Sequence, residues 1–542
     1  MKRTMILFVL ILAMLPVAAA PADVDAERPF GCSALIAGKG TTVDGSILFA
    51  KTEDDTPRDV DFLWYIPRRQ HEPGSVVKLA NGGTVPQVAE TWGFFWDQNP
   101  GTPFSNYVIN EWGVALGSDA CPSREDSEEA LAARGDIVDG GIGFELRMIL
   151  AERAKTAREA VEIAAGLLDR YGYSASGRCL HIVGPDEAWQ LQMVRGKQYV
   201  ARRVRDDEVA VTANTYTIRE VDLDDPANFI CSPRLVEYAT ERGWYDPAAG
   251  KPFDFAAAYA DRGSYDNPRN TDRTWGMARL LDADYPMTYE EARTGIMPPA
   301  VTPDRKLALT DIMAIFRDHY EGTALDSTAS YSISPHRGPV RPICWITTHR
   351  TTIVQQRSWL PVDIGTVFWR ALEQPCSSVF VPRYLCAHRI PGSFQAAPVR
   401  ADTATAARVD FHFDMPDTTW ELGLDTSGAL FKLLGDLADE DYADRIDPIR
   451  ETWREFEETA ITLQPEIEKA ALDLYGRDKA LACELLTLYS NALAERSLEI
   501  ARRLVETMGD TIAGGSSSGM APAPGMGKEN CTPESESRAD RR

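Results

Sequence analysis

The chain is organised around one stretch near its start, Pro29-Phe30-Gly31-Cys32-Ser33-Ala34-Leu35-Ile36-Ala37-Gly38, and its continuation, Val43-Asp44-Gly45-Ser46-Ile47-Leu48-Phe49-Ala50-Lys51-Thr52-Glu53-Asp54. A cysteine precedes a short apolar run. A turn separates that run from a second apolar run, which ends in charged residues. Short apolar runs on either side of a turn predict two β-strands. The pattern therefore places Cys32 at the start of a strand.

Cys32 can act as a nucleophile if the chain is cut directly before it. The residue would then carry both a thiol and a free α-amine. The usual pKa of an α-amine, about 7.7–8.0, lies close to that of a thiol, about 8.5, so the amine can accept the thiol proton near neutral pH. An enzyme built on this pair needs no histidine base.

Two other roles are open to a cysteine at this position. An early cysteine in an exported protein is usually half of a disulfide bond. It can also be the lipid-anchored first residue of a lipoprotein, although Cys32 does not directly follow an apolar leader. Position alone does not decide among the three roles.

The segment before Cys32 has the features of an export signal. Residues 1–22 contain two basic residues, an apolar core at Met5–Leu15 and several alanines, which together predict a secretory signal peptide. Cleavage before Asp23 would leave residues 23–31 as a short propeptide. The signal peptide predicts an exported protein, periplasmic or extracellular. Because the apolar core is too short to span a membrane stably, we expect no stable membrane span.

The net charge of the chain limits which kinds of partner it can bind. It has 57 basic and 81 acidic residues, which give a net charge of −24. So acidic a chain is a poor candidate for binding nucleic acid or an anionic membrane. A homo-oligomeric state stays open.

The number and spacing of the cysteines and histidines indicate which disulfide and metal sites the sequence predicts. Nine cysteines are an odd number, which predicts at least one unpaired thiol in an exported protein. Cys32 is the candidate, and the pairing of the other eight stays open. The seven histidines are scattered and no Cys-x-x-Cys pair occurs, so neither a zinc site nor any cofactor is predicted.

The rest of the chain predicts an antiparallel sheet protein with added helices. Tyr107–Gly117 has the pattern of two strands joined by a tight turn, and Cys179–Asn214 that of successive short hairpins. Thr156–Arg170 begins with a capping-box pattern and is predicted to be helical. We expect one domain over residues 32–440, a C-terminal helical extension over 441–510 and a disordered tail over 511–542.

The stretch around Cys32 resembles a known family. Cys32–Gly38, then Asp44-Gly45-Ser46, then Lys51-Thr52-Glu53-Asp54 look like the mature start of the C69 (dipeptidase A type) peptidases, and Pro361–Trp369 also matches their pattern. These enzymes are N-terminal nucleophile hydrolases, related to choloylglycine hydrolase and penicillin V acylase. The resemblance implies an α+β fold, a four-layer αββα sandwich with two antiparallel sheets between helical layers.

The resemblance also implies an oxyanion hole for Cys32. Asn110 lies in an Asn-Glu-x-Gly turn like that of the choloylglycine hydrolase relatives, where the asparagine amide helps to hold the oxyanion. Asn214 follows a predicted strand and corresponds to the main oxyanion donor. Without the resemblance, each asparagine would simply be interpreted as a turn former or strand terminator.

Three charged residues complete the implied site. Asp54 matches the acidic residue that contacts the α-amine. Arg273 is the best match for an arginine near the nucleophile, with Arg269 and Arg279 left open as alternatives. Lys51 stands where the choloylglycine branch has arginine, which keeps the charge but loses the planar fork of a guanidinium.

These features predict an exported cysteine dipeptidase that acts on small peptide substrates. An acylase of the choloylglycine hydrolase or penicillin V acylase type is the alternative on the same scaffold. A non-catalytic secreted binding protein, with Cys32 in a disulfide, is the alternative of another class. The aromatic cluster Trp92–Trp96 is either part of the core or a wall of the substrate pocket.

Overall fold

The computed structural model describes residues 31–54, 62–79, 81–98, 107–124, 126–327, 333–395 and 423–515. The predicted signal peptide, the predicted propeptide up to residue 30 and the tail beyond residue 515 lie outside these ranges. Within them, no helix is both long enough and apolar enough to cross a membrane.

The strands form two large antiparallel sheets. The strands of the first sheet, in spatial order, are β16 (Ala300–Val301), β14 (Val209–Thr212), β1 (Ala34–Ala37), β2 (Ile47–Asp54), β17 (Thr348–Gln356), β18 (Thr366–Leu372) and β19 (Val381–Tyr384). Those of the second sheet are β15 (Phe229–Cys231), β13 (Tyr199–Val204), β12 (Ala188–Met193), β11 (Arg178–Val183), β10 (Ala115–Ala120), β9 (Tyr107–Asn110), β8 (Phe94–Gln98) and β3 (Phe62–Ile66). Two small ladders pair β4 (Arg69–Gln70) with β7 (Glu90–Thr91) and β5 (Val76–Lys78) with β6 (Thr84–Pro86).

Along the described chain, the helices lie between and after these strands. Those of the main domain are α1 (Glu128–Ala133), α2 (Glu145–Arg153), α3 (Ala157–Tyr171), α4 (Leu235–Glu241), α5 (Phe255–Tyr259), α6 (Arg262–Tyr265), α7 (Pro268–Leu281), α8 (Tyr289–Ala292), α9 (Leu309–Phe316) and α10 (Val362–Gly365). Short 3-10 turns cover Pro247–Ala249, Pro335–Arg337 and Gly392–Phe394. The chain then continues through α11 (Ser427–Glu440), α12 (Tyr442–Tyr475) and α13 (Lys479–Gly515).

The two sheets pack face to face between helical layers. Side chains of a strand alternate between its two faces, and in β1 Ala34 and Ile36 face the second sheet whereas Leu35 and Ala37 face helices. Helices α2 and α3 cover the second sheet, and α7, α9, α12 and α13 cover the first. Burial of each large apolar side chain in these layers contributes about 1.5–3 kcal/mol. The predicted αββα sandwich is therefore confirmed.

The start of α3 shows how local sequence sets an element. The Thr156 hydroxyl accepts a hydrogen bond from the Glu159 backbone N–H at 3.1 Å. The Glu159 carboxylate in turn accepts from the Lys155 backbone N–H at 2.7 Å. Both contacts satisfy backbone donors that a helix start leaves unpaired.

One predicted hairpin is wrong in a way that builds the site. Strands β13 and β14 do not pair with each other: β13 stays in the second sheet, and β14 crosses to the first, where it pairs with β1. Gly38 at the end of β1 lies against the crossing, and its backbone N–H donates to the Glu208 carbonyl. Both faces of β14 are buried, so alternation could not reveal which sheet it joins.

The C-terminal helices begin before the predicted boundary at residue 441. Helix α11 starts at Ser427 and packs with α12 and α13 around Phe431, Trp453 and Leu498. Helix α13 extends to Gly515, past the predicted start of the tail at residue 511.

Candidate active site

Cys32 lies two residues before β1, an interior strand of the first sheet. Ala34 pairs with Thr212 on one side and with Lys51 on the other. Extending both antiparallel registers outward by two residues places Cys32 between Asn214 and Glu53. Only 5% of Cys32 is exposed, and the alternation of side chains puts it on the face toward the second sheet.

Arg273 binds the backbone around Cys32 from helix α7. Its Nη1 donates to the carbonyls of Gly31 at 2.8 Å and of Cys32 at 2.7 Å. Its Nη2 donates to Asn214 Oδ1 at 2.8 Å. One fully buried guanidinium thus holds the backbone at Cys32 and the Asn214 side chain in fixed relation.

The structure distinguishes among the three arginines that the sequence left open. The Arg273 guanidinium reaches the backbone at Cys32, and the Arg269 carbonyl accepts a hydrogen bond from Arg273 Nε at 2.8 Å. Arg279 forms an ion pair with Asp318, with Nη2 and Oδ1 2.7 Å apart. Successive turns of one helix therefore present different guanidinium groups to different neighbours.

Asn214 holds a backbone conformation that few residues adopt. Its φ is +51°, in the left-handed region, where asparagine is tolerated better than most side chains. Its Nδ2 donates to the Ala120 carbonyl at 2.9 Å. An amide NH₂ carries two protons, so a second N–H remains for a substrate oxygen. Within the described part of the chain, the second Nδ2 proton of Asn214 has no acceptor of standard geometry.

The layer between the sheets changes from apolar to charged near Cys32. Lys51 Nζ donates to Glu53 Oε2 at 2.8 Å and lies 3.7 Å from Asp119 Oδ1 on the facing strand. Burial raises the pKa of the Cys32 thiol to about 12; Glu53 adds to the rise and Lys51 opposes it. In the uncut chain, the thiolate form of Cys32 is therefore strongly disfavoured.

Asp54 faces a second arginine, Arg341, which the sequence did not single out. Arg341 Nη2 donates to Asp54 Oδ2 at 2.7 Å and to the Gly31 carbonyl at 2.5 Å. Burial raises the pKa of Asp54, and Arg341 and Arg273 oppose the rise. Within the described residues, Asp54 Oδ1 accepts no hydrogen bond of standard geometry. This oxygen is a buried acceptor beside the backbone that leads into Cys32.

Asn110 does not join this cluster. Its Nδ2 donates to the carbonyls of Ala151 and Ala154 at 2.9 and 2.7 Å, which uses both protons of the amide. Asn110 caps the turn before β10, whereas the contact of Asn214 with Ala120 lies at the far end of that strand. At about 3.3 Å per residue, the six-residue rise from Val114 to Ala120 separates the two sites by roughly 20 Å. The oxyanion role predicted for Asn110 is therefore corrected to a structural one.

Three rings of the aromatic cluster Trp92–Trp96 belong to the core, whereas Trp92 is only partly buried. Phe94 and Trp96 pack in the layer between the second sheet and its helices. Phe95 points the other way and contacts Phe368 between the sheets, with ring centroids 5.0 Å apart. Alternation along β8 explains why neighbouring rings enter different layers.

The chain is similar to known proteins over most of its length. Residues 31–411 match peptidase family C69. The "Probable dipeptidase" of Salmonella dublin is 28% identical over 383 residues, which cover 69% of this chain and 86% of that protein. The "Probable dipeptidase B" of Streptococcus pyogenes serotype M1 is 25% identical over 366 residues, which cover 65% and 72%.

A solved structure is also similar. It is penicillin V acylase from Agrobacterium tumefaciens, with 13% sequence identity and a TM-score of 0.33, covering 65% of this chain and 86% of that one. The match to peptidase family C69 covers residues 31–411. Since it spans well over half of the sequence, the chain belongs to peptidase family C69 and is a peptide-bond hydrolase.

Proposed function

We propose that the protein is an exported cysteine dipeptidase whose nucleophile is Cys32, once that residue is the first of the mature chain. The observation that carries the proposal is the Arg273 guanidinium, which binds the Cys32 carbonyl and Asn214 Oδ1 together. A nucleophile and an oxyanion donor held by one buried group keep their separation through the reaction. The dipeptidase names of the relatives support the substrate class.

The chemistry follows from the residues present. The Cys32 thiol gives its proton to its own α-amine, and the sulfur attacks the carbonyl carbon of the substrate. The second N–H of Asn214 donates to the oxyanion that forms. The ammonium then protonates the leaving amine as the C–N bond breaks, which leaves a thioester. Water, deprotonated by the α-amine, attacks the thioester and releases the acid and the thiol.

The charges around Cys32 fit this cycle. Lys51 favours the thiolate and lies on the same inter-sheet face, as alternation along β2 requires. The α-ammonium needs a buried acceptor. Asp54 Oδ1 is buried and, within the described residues, accepts no hydrogen bond of standard geometry, although Thr348 lies close enough to lower the pKa of the carboxyl. Arg341 holds the other oxygen of that carboxylate and so sets its orientation.

The residue before Cys32 fits a cleavage point. The Gly31 carbonyl accepts hydrogen bonds from Arg273 and Arg341. A Cβ at position 31 would lie 1.7 Å from Arg341 Nη1, so only glycine fits there without displacing the guanidinium. We therefore place the mature N-terminus at Cys32, after removal of residues 1–31.

N-terminal sequencing and the intact mass of the secreted protein test this maturation. We expect active protein to begin at Cys32. A mature protein that begins at Asp23 and is fully active would overturn both the cleavage point and the role of the α-amine.

A substrate panel tests the dipeptidase assignment. The panel holds unblocked dipeptides, tripeptides, N-acetyl dipeptides, penicillin V and conjugated bile salts. We expect kcat/KM for unblocked dipeptides to exceed the others by at least about tenfold, which corresponds to about 1.4 kcal/mol in transition-state binding. A preference for penicillin V or a bile salt would move the assignment to an acylase while retaining Cys32 as nucleophile.

A further inference from the structure

Four buried side chains from separate loops converge on one point away from Cys32. They are His319, which follows α9, His336 in a 3-10 turn, Cys344 before β17, and Cys376 after β18. Each is at most 1% exposed. Each residue contributes one nitrogen or sulfur atom, and these four atoms all lie within 4.8 Å of one another. The cluster therefore presents two nitrogens and two sulfurs to a common centre.

The distances within the cluster fit a tetrahedral ion. The Nε2 atoms of His319 and His336 are 3.1 Å apart, and His336 Nε2 lies 3.2 Å from Cys376 Sγ and 3.4 Å from Cys344 Sγ. Zinc bonds of about 2.0–2.1 Å to nitrogen and about 2.3 Å to sulfur place tetrahedral ligands roughly 3.3 to 3.8 Å from each other. Small shifts of these side chains would bring the four ligand atoms to tetrahedral distances.

Carboxylates hold the outer nitrogens of both histidines. His319 Nδ1 lies 3.0 Å from Glu321 Oε1, and His336 Nδ1 lies 2.6 Å from Asp439 Oδ1. A proton on each Nδ1 satisfies these contacts and leaves the Nε2 lone pairs facing each other across 3.1 Å. A cation between them turns that repulsion into two bonds. Carboxylate–histidine pairs of this kind orient the histidine ligands of metal sites.

We propose that His319, His336, Cys344 and Cys376 bind one Zn²⁺ as a closed structural site. Four protein ligands leave no position for a substrate or a reactive water, in contrast to a catalytic zinc. Binding would release the two thiol protons, because the ligands are thiolates. The sequence predicted no zinc site, since the ligands come from four loops with none of the short spacings by which such sites are recognised.

The site would tie the C-terminal helices to the catalytic domain. Asp439 belongs to α11, and the hydroxyl of Tyr442 at the start of α12 contacts Cys376 Sγ at 3.5 Å. Cys344 is three positions after Arg341, the arginine that binds Asp54. A bound ion therefore stabilises both the helical extension and the loop that brings Arg341 to the active site.

Metal analysis of the full-length protein, purified without chelators, tests the proposal. We expect about one zinc per chain in the wild type, and little in His336→Asn and Cys376→Ser. Cys121→Ser is the matched control, because Cys121 is a buried cysteine in a different apolar cluster; it should retain the metal. Replacement of zinc by Co²⁺ should give the visible absorption of a tetrahedral site and thiolate-to-metal bands in the wild type and control alone.

The Co²⁺ spectrum of the wild type keeps the test decisive if the two variants do not fold. A wild type that holds less than about a tenth of an equivalent of zinc and gives no tetrahedral Co²⁺ spectrum after reconstitution overturns the proposal. So does a Cys344–Cys376 disulfide in peptide maps of the native protein. Neither readout depends on catalysis, so failure here leaves the role of Cys32 untouched.

Discussion

Two groups of buried cysteines in this protein differ in what surrounds the sulfur. Cys32 lies just before strand β1, Lys51 and Glu53 shift the pKa of its thiol, and Arg273 binds its carbonyl. Cys344 and Cys376 lie in loops and face the Nε2 atom of His336. Burial alone raises the pKa of a thiol and makes it unreactive. The neighbours of each sulfur therefore set its chemistry: nearby ion pairs and an amide donor suit a nucleophile, and opposed histidines suit a metal ligand.

The largest effects should come from replacing one cysteine of each group. Cys32→Ala removes the nucleophile, so dipeptide hydrolysis should fall by at least about 10⁴-fold. The melting temperature and zinc content of the Cys32→Ala variant should match those of the wild type. Cys376→Ser should do the reverse and lose zinc while Cys32 still reacts with iodoacetamide.

Activity assays, intact mass after alkylation and metal analysis measure these outcomes in parallel. Hydrolysis that persists after complete alkylation of Cys32 would remove it from the mechanism. Cys231→Ala, at a half-buried cysteine outside both groups, is the control for cysteine loss in general.

The next effect concerns the donor opposite Cys32. Asn214→Gly should lower kcat about 10²–10³-fold with little change in KM, because the oxyanion contact forms in the transition state. Glycine accepts the positive φ of this position, so the change removes the amide without backbone strain. Asn214→Ala should show the same loss in kcat and also a lower melting temperature. An effect on KM alone would place Asn214 in substrate binding.

Asn110 separates a structural asparagine from a catalytic one. Asn110→Ala would leave two buried carbonyls and two backbone N–H groups without their partners. We expect a loss of at least about 2 kcal/mol in the free energy of unfolding. The kcat of the folded fraction should stay within about threefold of the wild type. Denaturant unfolding and active-site titration separate the two quantities, and a drop in kcat like that of Asn214→Gly with unchanged stability would restore the oxyanion role.

The smallest effect is a pair of opposite shifts in the titration of Cys32. The negative charge of Glu53 raises the pKa of the thiol and the positive charge of Lys51 lowers it. Glu53→Gln should therefore lower the pKa and speed alkylation at neutral pH, because more thiolate is present. Lys51→Met should raise the pKa and slow alkylation. In each variant, the alkylation rate should change by about three- to tenfold.

The pH dependence of iodoacetamide reaction with the mature enzyme measures both shifts. Shifts of the same sign in the two variants would show that the ion pair acts through structure and not through charge. Lys51→Arg keeps the charge and should leave the profile near that of the wild type.

Short-range patterns in the sequence predicted the local elements around Cys32 and at the start of α3. The apolar runs around Cys32 form β1 and β2, and the threonine–glutamate pair at Thr156 and Glu159 begins α3, as predicted. The Asn110–Gly113 turn is likewise present, and Gly113 has a φ of +80°. These features depend on residues a few positions apart, so short-range patterns encode them directly.

Which of these elements meet depends on the packing of distant parts of the chain. The crossing of β14 between sheets puts Asn214 opposite Cys32, and the orientation of α7 presents Arg273 to both. Arg341 reaches Asp54 from a distant loop. The same packing carries Asn110 to the far end of its hairpin and gathers two histidines and two cysteines from four loops. Contacts of this kind have no fixed spacing along the chain, because they arise from how buried faces stack, and a pattern of neighbouring residues cannot specify them.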